Sequence, residues 1–193
     1  MTSPAIFIDR DGTLSEEVGY INHLSRFRML PFAVDAVRLV NQSGWLAVVV
    51  TNQAGVARGY FPETLVTAVH DRVREHMTAG GARLDGIFYC PHHPTAGDAP
   101  YRQDCECRKP KPGLLRQAAG ELGINLARSW MIGDRYADVQ VAWAVGARGA
   151  LVRTGYGEGE LAHKAAGWPR PPDLVAANLL QAVSHVLHGT PSA

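Results

Sequence analysis

Two carboxylates lie two residues apart where an apolar segment meets a loop. Asp9 and Asp11 follow the run at residues 5–8, and Gly12 allows a close turn behind them. A carboxylate that attacks phosphorus needs a metal ion to offset the repulsion between two anions, and a second group to protonate the leaving alkoxide. A simple turn built from Asp and Gly is the alternative interpretation, and this segment alone favours neither.

Three further groups of polar residues follow apolar segments or open helices later in the chain. They are Thr51-Asn52-Gln53, Arg108-Lys109-Pro110-Lys111, and Gly133 to Asp138. In that order they offer a hydroxyl and amides for phosphate oxygens, an ammonium group at a helix start, and carboxylates for a hard cation. Each group alone also fits a turn, a solvated loop or a helix cap. Together with the acidic pair, at the ends of successive strands, they indicate one phosphate-handling site.

The apolar pattern predicts an α/β fold. Strands are predicted at residues 5–8, 46–50, 86–90, 130–132, 150–152 and 174–176. Helices are predicted at residues 33–42, 63–78, 112–122, 136–145 and 179–187. Short apolar strands that alternate with helices favour a parallel sheet covered on both faces. His70 and His76 are placed on the polar side of the second helix and receive no role.

Length and charge limit the function classes. The chain has 193 residues, which predicts one domain over residues 1–193. Its 19 basic and 18 acidic side chains nearly balance, so the sequence favours neither a nucleic-acid nor a membrane partner. A strand beginning near residue 5 leaves no room for a signal peptide, and no apolar run reaches the length of a membrane span. We therefore expect a cytoplasmic protein, and a monomer.

The cysteines are confined to one segment. Cys90, Cys105 and Cys107 cannot all pair with one another, and His92 and His93 follow the first of them. Three sulfurs and one imidazole are the ligands of a closed, structural tetrahedral Zn²⁺ site. Spacing alone permits either histidine as the fourth ligand, and three free thiols are the alternative interpretation.

The order of the motifs resembles the haloacid-dehalogenase (HAD) superfamily of phosphotransferases. Between about residues 5 and 155 the chain is similar to the D,D-heptose 1,7-bisphosphate phosphatase family, and to the histidinol-phosphate phosphatase branch, which shares the metal loop. The motifs that carry the likeness are Asp9-Arg10-Asp11-Gly12-Thr13, Gly19-Tyr20, Thr51-Asn52-Gln53, Cys90-Pro91-His92-His93, Cys105-x-Cys107-Arg108-Lys109-Pro110 and Gly133-Asp134. The resemblance implies a three-layer, doubly wound, Rossmann-like sheet with a zinc-bearing loop at residues 90–107.

The resemblance also implies roles for the catalytic residues. Asp9 is the expected nucleophile, which forms a phosphoaspartyl intermediate, and Asp11 is the expected general acid and base. Mg²⁺ is expected on the Asp9 carboxylate, the Asp11 backbone carbonyl and the Asp134 carboxylate. Thr51 and Lys109 are expected to steady the phosphoryl group, and the zinc ligands are Cys90, His92, Cys105 and Cys107.

The implied substrate is a small phosphorylated sugar, a heptose bisphosphate cleaved at its 7-phosphate on the way to ADP- or GDP-heptose. The expected substrate contacts come from Arg10, Glu17, Val18, Gly19, Tyr20, Asn52, Gln53, Ala54, Arg108 and Arg135. Arg135 stands where relatives commonly carry lysine. Alternative functions are a histidinol-phosphate phosphatase, a DNA 3′-phosphatase, and a zinc-dependent binding module without catalysis, which would gain nothing from two crowded carboxylates.

Overall fold

The computed structural model describes residues 2–189, in which six strands and six α-helices alternate along the chain. The strands are β1 (Ala5–Ile8), β2 (Leu46–Asn52), β3 (Gly86–Cys90), β4 (Trp130–Gly133), β5 (Arg148–Val152) and β6 (Leu174–Ala176). The helices are α1 (Ala33–Gln42), α2 (Glu63–Ala79), α3 (Gly113–Leu122), α4 (Tyr136–Trp143), α5 (Gly157–Lys164) and α6 (Leu179–His188). The predicted domain bounds, residues 1 and 193, lie outside the described residues.

All six strands form one parallel sheet in the order β3-β2-β1-β4-β5-β6. Ile8 on β1 lies opposite Val49 on β2 and Ile132 on β4. The chain winds from β1 to one edge and then returns to β4 on the other side of β1. This reversal confirms the doubly wound fold and leaves a crevice beyond the carboxyl ends of β1 and β4.

Helices cover both faces of the sheet. Successive side chains of a strand point to opposite faces, so Ile6 and Ile8 pack with α1, α2 and α6, whereas Ala5 and Phe7 pack with α3 and α4. All four β1 side chains are completely buried. Complete burial of an isoleucine or phenylalanine side chain stabilises a fold by roughly 1.5–3 kcal/mol. The three-layer prediction is therefore confirmed, and the central strand that carries Asp9 is firmly held.

Two differences from the predicted elements concern the site. Strand β2 continues to Asn52, because Thr51 and Asn52 pair with Tyr89 and Cys90 on β3. Helix α5 was not predicted, since two of its eight residues are glycine and its pattern carries little apolar periodicity. Its Leu161 packs on Tyr136 and Trp168, so tertiary contacts overcome the weak local propensity.

Two helix ends follow the sequence signals. Asn178 caps α6, where its side chain accepts a hydrogen bond from the Gln181 backbone N–H at 3.0 Å. Gly123 ends α3 in the left-handed conformation. Within residues 2–189, no helix combines the length and the apolar character that a membrane crossing needs.

Candidate active site

The predicted motifs converge on one cavity of about 410 Å³ at the carboxyl ends of β1, β2 and β4. Most of the predicted site residues line it: Asp9, Asp11, Glu17, Gly19, Tyr20, Thr51, Asn52, Gln53, Ala54, Arg108, Lys109 and Arg135. Arg10, Val18 and Asp134 are not part of its lining. Arg10 and Asp134 are buried, and Val18 packs against the core, so a substrate contact from Arg10 or Val18 would have to come from its backbone.

Lys109 lies at the centre of the site. Its ammonium group is 2.8 Å from Asp9 Oδ1 and 2.7 Å from Asp138 Oδ1, and it donates to the Val50 carbonyl at 2.9 Å. Burial disfavours the charge, but the two carboxylates outweigh burial and raise the pKa of Lys109 above its ordinary value. Lys109 therefore stays positively charged and is aimed at the carboxylate predicted to attack phosphorus.

Three buried carboxylates lie together in the site, and Lys109 contacts two of them, Asp9 and Asp138. Oxygens of Asp9, Asp134 and Asp138 lie within 4.8 Å of one another. Burial raises the pKa of Asp9 to about 6, against the opposing charge of Lys109. Burial, with the negative charge of Asp9, raises the pKa of Asp134 to about 8. The excess of negative charge is the electrostatic condition that a hard divalent cation relieves.

The donor set fits the predicted Mg²⁺. Asp138 is committed elsewhere, because Oδ1 bonds Lys109 and Oδ2 accepts the Arg135 backbone N–H at 3.1 Å. Asp9 receives the Arg10 N–H on Oδ1, and within residues 2–189 its Oδ2 accepts no hydrogen bond. Asp134 Oδ2 accepts the Tyr156 backbone N–H at 2.8 Å, and glycine at position 155 lets the backbone come this close, because a Cβ there would collide with Oδ2. Within residues 2–189 no hydrogen bond reaches Asp134 Oδ1, so this oxygen and Asp9 Oδ2 are the ones available to a hard cation.

Asp11 is held by several donors. Arg10 Nε and Nη2 donate to its two oxygens at 3.0 and 2.7 Å, and Gln53 Nε2 donates at 2.9 Å. Ser15 Oγ adds a contact at 3.3 Å. Burial opposes the charge on Asp11, but the Arg10 guanidinium and these hydrogen bonds together hold its pKa below the ordinary value. In this state Asp11 is an ionised carboxylate, and its protonation requires these contacts to be offset by another charge.

The β2 motif performs different tasks at adjacent positions. Asn52 clamps the segment that carries Lys109: its Nδ2 donates to the Lys109 carbonyl at 3.1 Å, and its Oδ1 accepts the Lys109 N–H at 3.0 Å. Gln53 Nε2 also donates to Thr51 Oγ1 at 2.9 Å, and so connects Thr51 with Asp11. The side chain of Asn52 thus positions Lys109, although the sequence predicted a substrate contact.

The rim of the cavity is aromatic and cationic. The Tyr20 ring meets the Tyr60 ring edge-on, with centroids 4.8 Å apart. The Arg135 guanidinium lies 3.8 Å above the centre of the Tyr156 ring. Arg108 donates to the His92 carbonyl at 3.3 Å, which ties the rim to the cysteine segment. Two guanidinium groups beyond Lys109 suit a second anionic group on the substrate.

The four predicted zinc ligands come together beside the cavity. Ligand atoms of Cys90, His92, Cys105 and Cys107 lie within 4.8 Å of one another, and the three cysteines are free thiols. His93 points elsewhere: its Nδ1 accepts the Thr95 and Ala96 N–H groups. Three sulfurs and one imidazole fit a closed tetrahedral Zn²⁺ site, and His92 rather than His93 completes the set.

His70 was placed wrongly by sequence. It is 4% exposed and lies on the buried side of α2 with Val66, Val69, Val73 and Met77. Positions 66, 70, 73 and 77 repeat at three and four residues, so the helical period itself held the signal. The polarity of histidine concealed it. The sequence offered the Asp138 carboxylate to a cation, but in the structure it pairs with Lys109. Tyr156, which the sequence did not assign, also lines the cavity.

The buried His70 makes stability depend on pH. Burial and the facing cations Arg10 and Arg74 lower its pKa to about 3, against the attraction of Asp11. The unfolded chain takes up a proton as the pH falls through about 6.5, whereas the folded protein does not, so stability is present above that pH and is lost below it. From His70 alone, we expect the free energy of unfolding to be about 1.4 kcal/mol lower at about pH 5.5 than at about pH 7.5.

Chemical denaturation at both pH values checks this expectation. The wild-type protein should lose about 1.4 kcal/mol more than the variant His70→Gln, which has no titrating ring. Equal losses in the two proteins would contradict a neutral, buried His70.

Fold and site define the class of the molecule as a HAD-type phosphatase. The HAD-hydrolase-like family model matches residues 106–182, which include Lys109 and Asp134. A protein from Yersinia pestis named D-glycero-beta-D-manno-heptose-1,7-bisphosphate 7-phosphatase is 44% identical over 154 residues, 79% of this chain and 81% of the relative. A protein of the same name from Escherichia coli strain K12 is 42% identical over 167 residues, 86% of this chain and 87% of the relative. This chain belongs to that family of heptose bisphosphate phosphatases and is a phosphoric monoester hydrolase.

A solved structure supports the same family assignment. The D,D-heptose 1,7-bisphosphate phosphatase from B. bronchiseptica, crystallised with magnesium and phosphate, has a TM-score of 0.84 and 32% sequence identity. The match covers 95% of this chain and 98% of the other. The likeness therefore extends over nearly the whole length of both chains.

Proposed function

We propose that this enzyme removes the 7-phosphate of D-glycero-D-manno-heptose 1,7-bisphosphate through a phosphoaspartyl intermediate on Asp9. The observation that carries the proposal is the buried group of Asp9, Lys109 and Asp134 beyond the ends of β1 and β4. Phosphoryl transfer to an aspartate needs a carboxylate nucleophile, positive charge beside the transferred group, and a place for a cation. The names of the relatives support heptose bisphosphate as the substrate.

In the first half of the reaction, Asp9 attacks phosphorus while the bond to the sugar oxygen breaks. Lys109 and the Thr51 hydroxyl contact the phosphoryl oxygens and compensate their charge. Asp11 gives a proton to the departing alkoxide. The negative charge of the incoming phosphate dianion raises the pKa of Asp11 and so opposes the effect of Arg10. Asp11 therefore takes up the proton that it later gives to the alkoxide.

In the second half, Asp11 acts as a base. It takes a proton from water, the water oxygen attacks phosphorus, and the bond between Asp9 and phosphorus breaks. Inorganic phosphate leaves and Asp9 returns as a carboxylate. In the resting enzyme Arg10 keeps the pKa of Asp11 low, and a carboxylate with a low pKa is a weak base. Proton transfer from water therefore needs a transient loss of the stabilisation that Arg10 gives to the ionised carboxylate.

Mg²⁺ would be held by the carboxylates of Asp9 and Asp134 and the backbone carbonyl of Asp11. When bound, it supplies the positive charge that lets a carboxylate approach a phosphate dianion. The relative crystallised with magnesium and phosphate supports this choice of ion. Zn²⁺ would be structural, because all four positions around it are protein ligands.

The rim would recognise the rest of the substrate. Arg108 and Arg135 would hold the distal phosphate through two parallel hydrogen bonds each. Glu17, Gly19 and Tyr20 would contact the sugar, with Gln53 and Ala54 on the opposite wall. We further propose one phosphatase domain over residues 1–193, zinc segment included, which acts as a cytoplasmic monomer on the way to a nucleotide-activated heptose.

A phosphate-release panel tests the substrate. It compares both anomers of the heptose bisphosphate, histidinol phosphate and a 3′-phosphorylated oligonucleotide, with ³¹P NMR to show which phosphate is lost. We expect the β anomer, named in the relatives, to give a kcat/KM at least about tenfold above histidinol phosphate, because a second charge-assisted contact contributes roughly 1.5–3 kcal/mol. Preference for histidinol phosphate, or loss of the 1-phosphate, would reject the proposed substrate.

A further inference from the structure

A chain of side-chain contacts runs from helix α2 to Asp11 and lies outside the cavity. Arg10 is 2% exposed, and its Nε and Nη2 atoms donate to the two oxygens of Asp11. Its remaining terminal nitrogen, Nη1, is 3.3 Å from His70 Nε2. Two parallel hydrogen bonds fix the plane of a carboxylate, which a single bond leaves free to turn.

The direction of the contact between Arg10 and His70 follows from chemistry. A guanidinium is always charged and has no acceptor, so Nε2 of His70 must accept the hydrogen bond. The proton of the neutral ring therefore sits on Nδ1. The His70 ring also packs edge-on against Tyr89, with centroids 5.3 Å apart, and the Tyr89 hydroxyl bonds Glu63 at 2.9 Å. His70 is thus a fixed hydrogen-bond acceptor for Nη1 of the Arg10 guanidinium.

Removal of this acceptor would disturb the two hydrogen bonds that Arg10 gives to Asp11. Nη1 would become a buried donor without its partner, and such a donor is costly enough for the side chain to turn toward another acceptor. Rotation of the planar guanidinium breaks the paired geometry on Asp11. Gln53 and Ser15 would remain, but each gives only one hydrogen bond to Asp11.

We propose that His70 is a positioning residue for proton transfer at Asp11 and acts through Arg10. This inference rests on the proposed function, because it needs Asp11 as the general acid and base. His70 does not line the cavity, so it influences the reaction only through the orientation of the Asp11 carboxylate. Arg10, predicted to contact the substrate, serves through its side chain as the connecting group.

The test compares His70→Phe, which keeps a ring against Tyr89 but removes the acceptor, with His70→Gln, whose amide oxygen can replace Nε2. Each protein is assayed on the heptose bisphosphate and on p-nitrophenyl phosphate, whose phenolate leaves without a proton. kcat/KM reports the steps up to the first phosphoryl transfer, and so isolates the acid role of Asp11. We expect His70→Phe to lower kcat/KM about tenfold on the sugar phosphate and less than about threefold on the aryl phosphate.

The glutamine variant should restore the sugar-phosphate value to within about threefold of wild type. His76→Gln is the matched control, because His76 is an exposed residue on the same helix and its ring bonds the Arg72 carbonyl. Equal losses on both substrates, or no rescue by glutamine, would overturn the proposal. Failure of the proposed function has a different signature, since wild-type protein would then not release phosphate from the heptose bisphosphate.

A measurement on the unaltered protein covers the case in which His70→Phe does not fold. The ¹⁵N chemical shifts of the His70 ring should show a neutral ring with its proton on Nδ1 at neutral pH. A proton on Nε2 would remove the acceptor that Arg10 needs, and would overturn the inference without any variant.

Discussion

Replacement of Asp9 by asparagine is expected to lower phosphate release at least about 10⁴-fold, because an amide cannot act as the nucleophile that forms the covalent intermediate. The fold should survive the change. Asn Oδ1 can still accept the Arg10 N–H and the Lys109 ammonium hydrogen bond, and Lys109 keeps its contacts with Asp138 and the Val50 carbonyl. The measurement is kcat with saturating substrate and excess Mg²⁺, beside a thermal denaturation curve.

The charge of the site predicts a second feature of the same variant. Asp9 and Asp134 are buried close to each other, and burial with the charge of Asp9 raises the pKa of Asp134 to about 8. Loss of the Asp9 charge removes repulsion, so without added Mg²⁺ we expect a melting temperature equal to or above that of wild type. Mg²⁺ should stabilise Asp9→Asn less than it stabilises wild type, because one carboxylate ligand is gone.

Asp71→Asn provides the matched control, since Asp71 is 61% exposed on α2 and pairs with the exposed Arg74, away from the cavity. That variant should keep wild-type turnover. Acid quenching during turnover should trap a phosphorylated peptide that contains Asp9 in wild type and none in Asp9→Asn. Near-normal turnover of Asp9→Asn, or a phosphoryl group trapped on another residue, would remove Asp9 as the nucleophile.

The residues proposed to be catalytic could be selected from the sequence because a parallel sheet places the residues at the ends of its strands together. Asp9, Thr51 and Asp134 each stand at the carboxyl end of an apolar strand, and a parallel sheet brings such ends to one edge. The strands themselves are short and continuously apolar, which predicts burial on both faces. The order of the motifs along the chain indicates phosphoryl transfer.

The supporting contacts could not be found in the same way. Arg10 and His70 are 60 positions apart and meet only because α2 packs over the β1 loop. The helical spacing of Val66, His70, Val73 and Met77 indicates that His70 is buried, but no spacing in the sequence indicates that Arg10 is its partner. Asn52 is similar: it lines the cavity, but no sequence pattern indicates that its amide also clamps the Lys109 backbone.

Removal of zinc is expected to cost stability and to leave the chemistry nearly unchanged. Cys90 and Cys107 are 17 positions apart, and a cross-link that closes a loop of about this length stabilises a protein by roughly 3 kcal/mol. In a chain of 193 residues this corresponds to a melting temperature lower by about 10 °C. Differential scanning calorimetry of zinc-depleted protein, with Mg²⁺ restored in excess, measures the change.

Turnover should survive in the molecules that stay folded, because Lys109 does not depend on the zinc segment alone. Asn52 holds its backbone through two hydrogen bonds, and Asp9, Asp138 and the Val50 carbonyl hold its ammonium group. Below the lowered melting temperature, kcat should therefore stay within about threefold of the zinc-loaded value.

Two neighbouring histidines supply the matched pair for this prediction. His92→Gln should lose both the metal and the added stability, whereas His93→Gln should bind one zinc ion per chain, because the His93 ring bonds Arg58 and two backbone N–H groups instead of facing the thiols. Elemental analysis of the purified variants gives the metal content. If zinc-depleted protein were fully folded but inactive, zinc would take part in the reaction, and the closed structural site inferred from three sulfurs and one imidazole would be wrong.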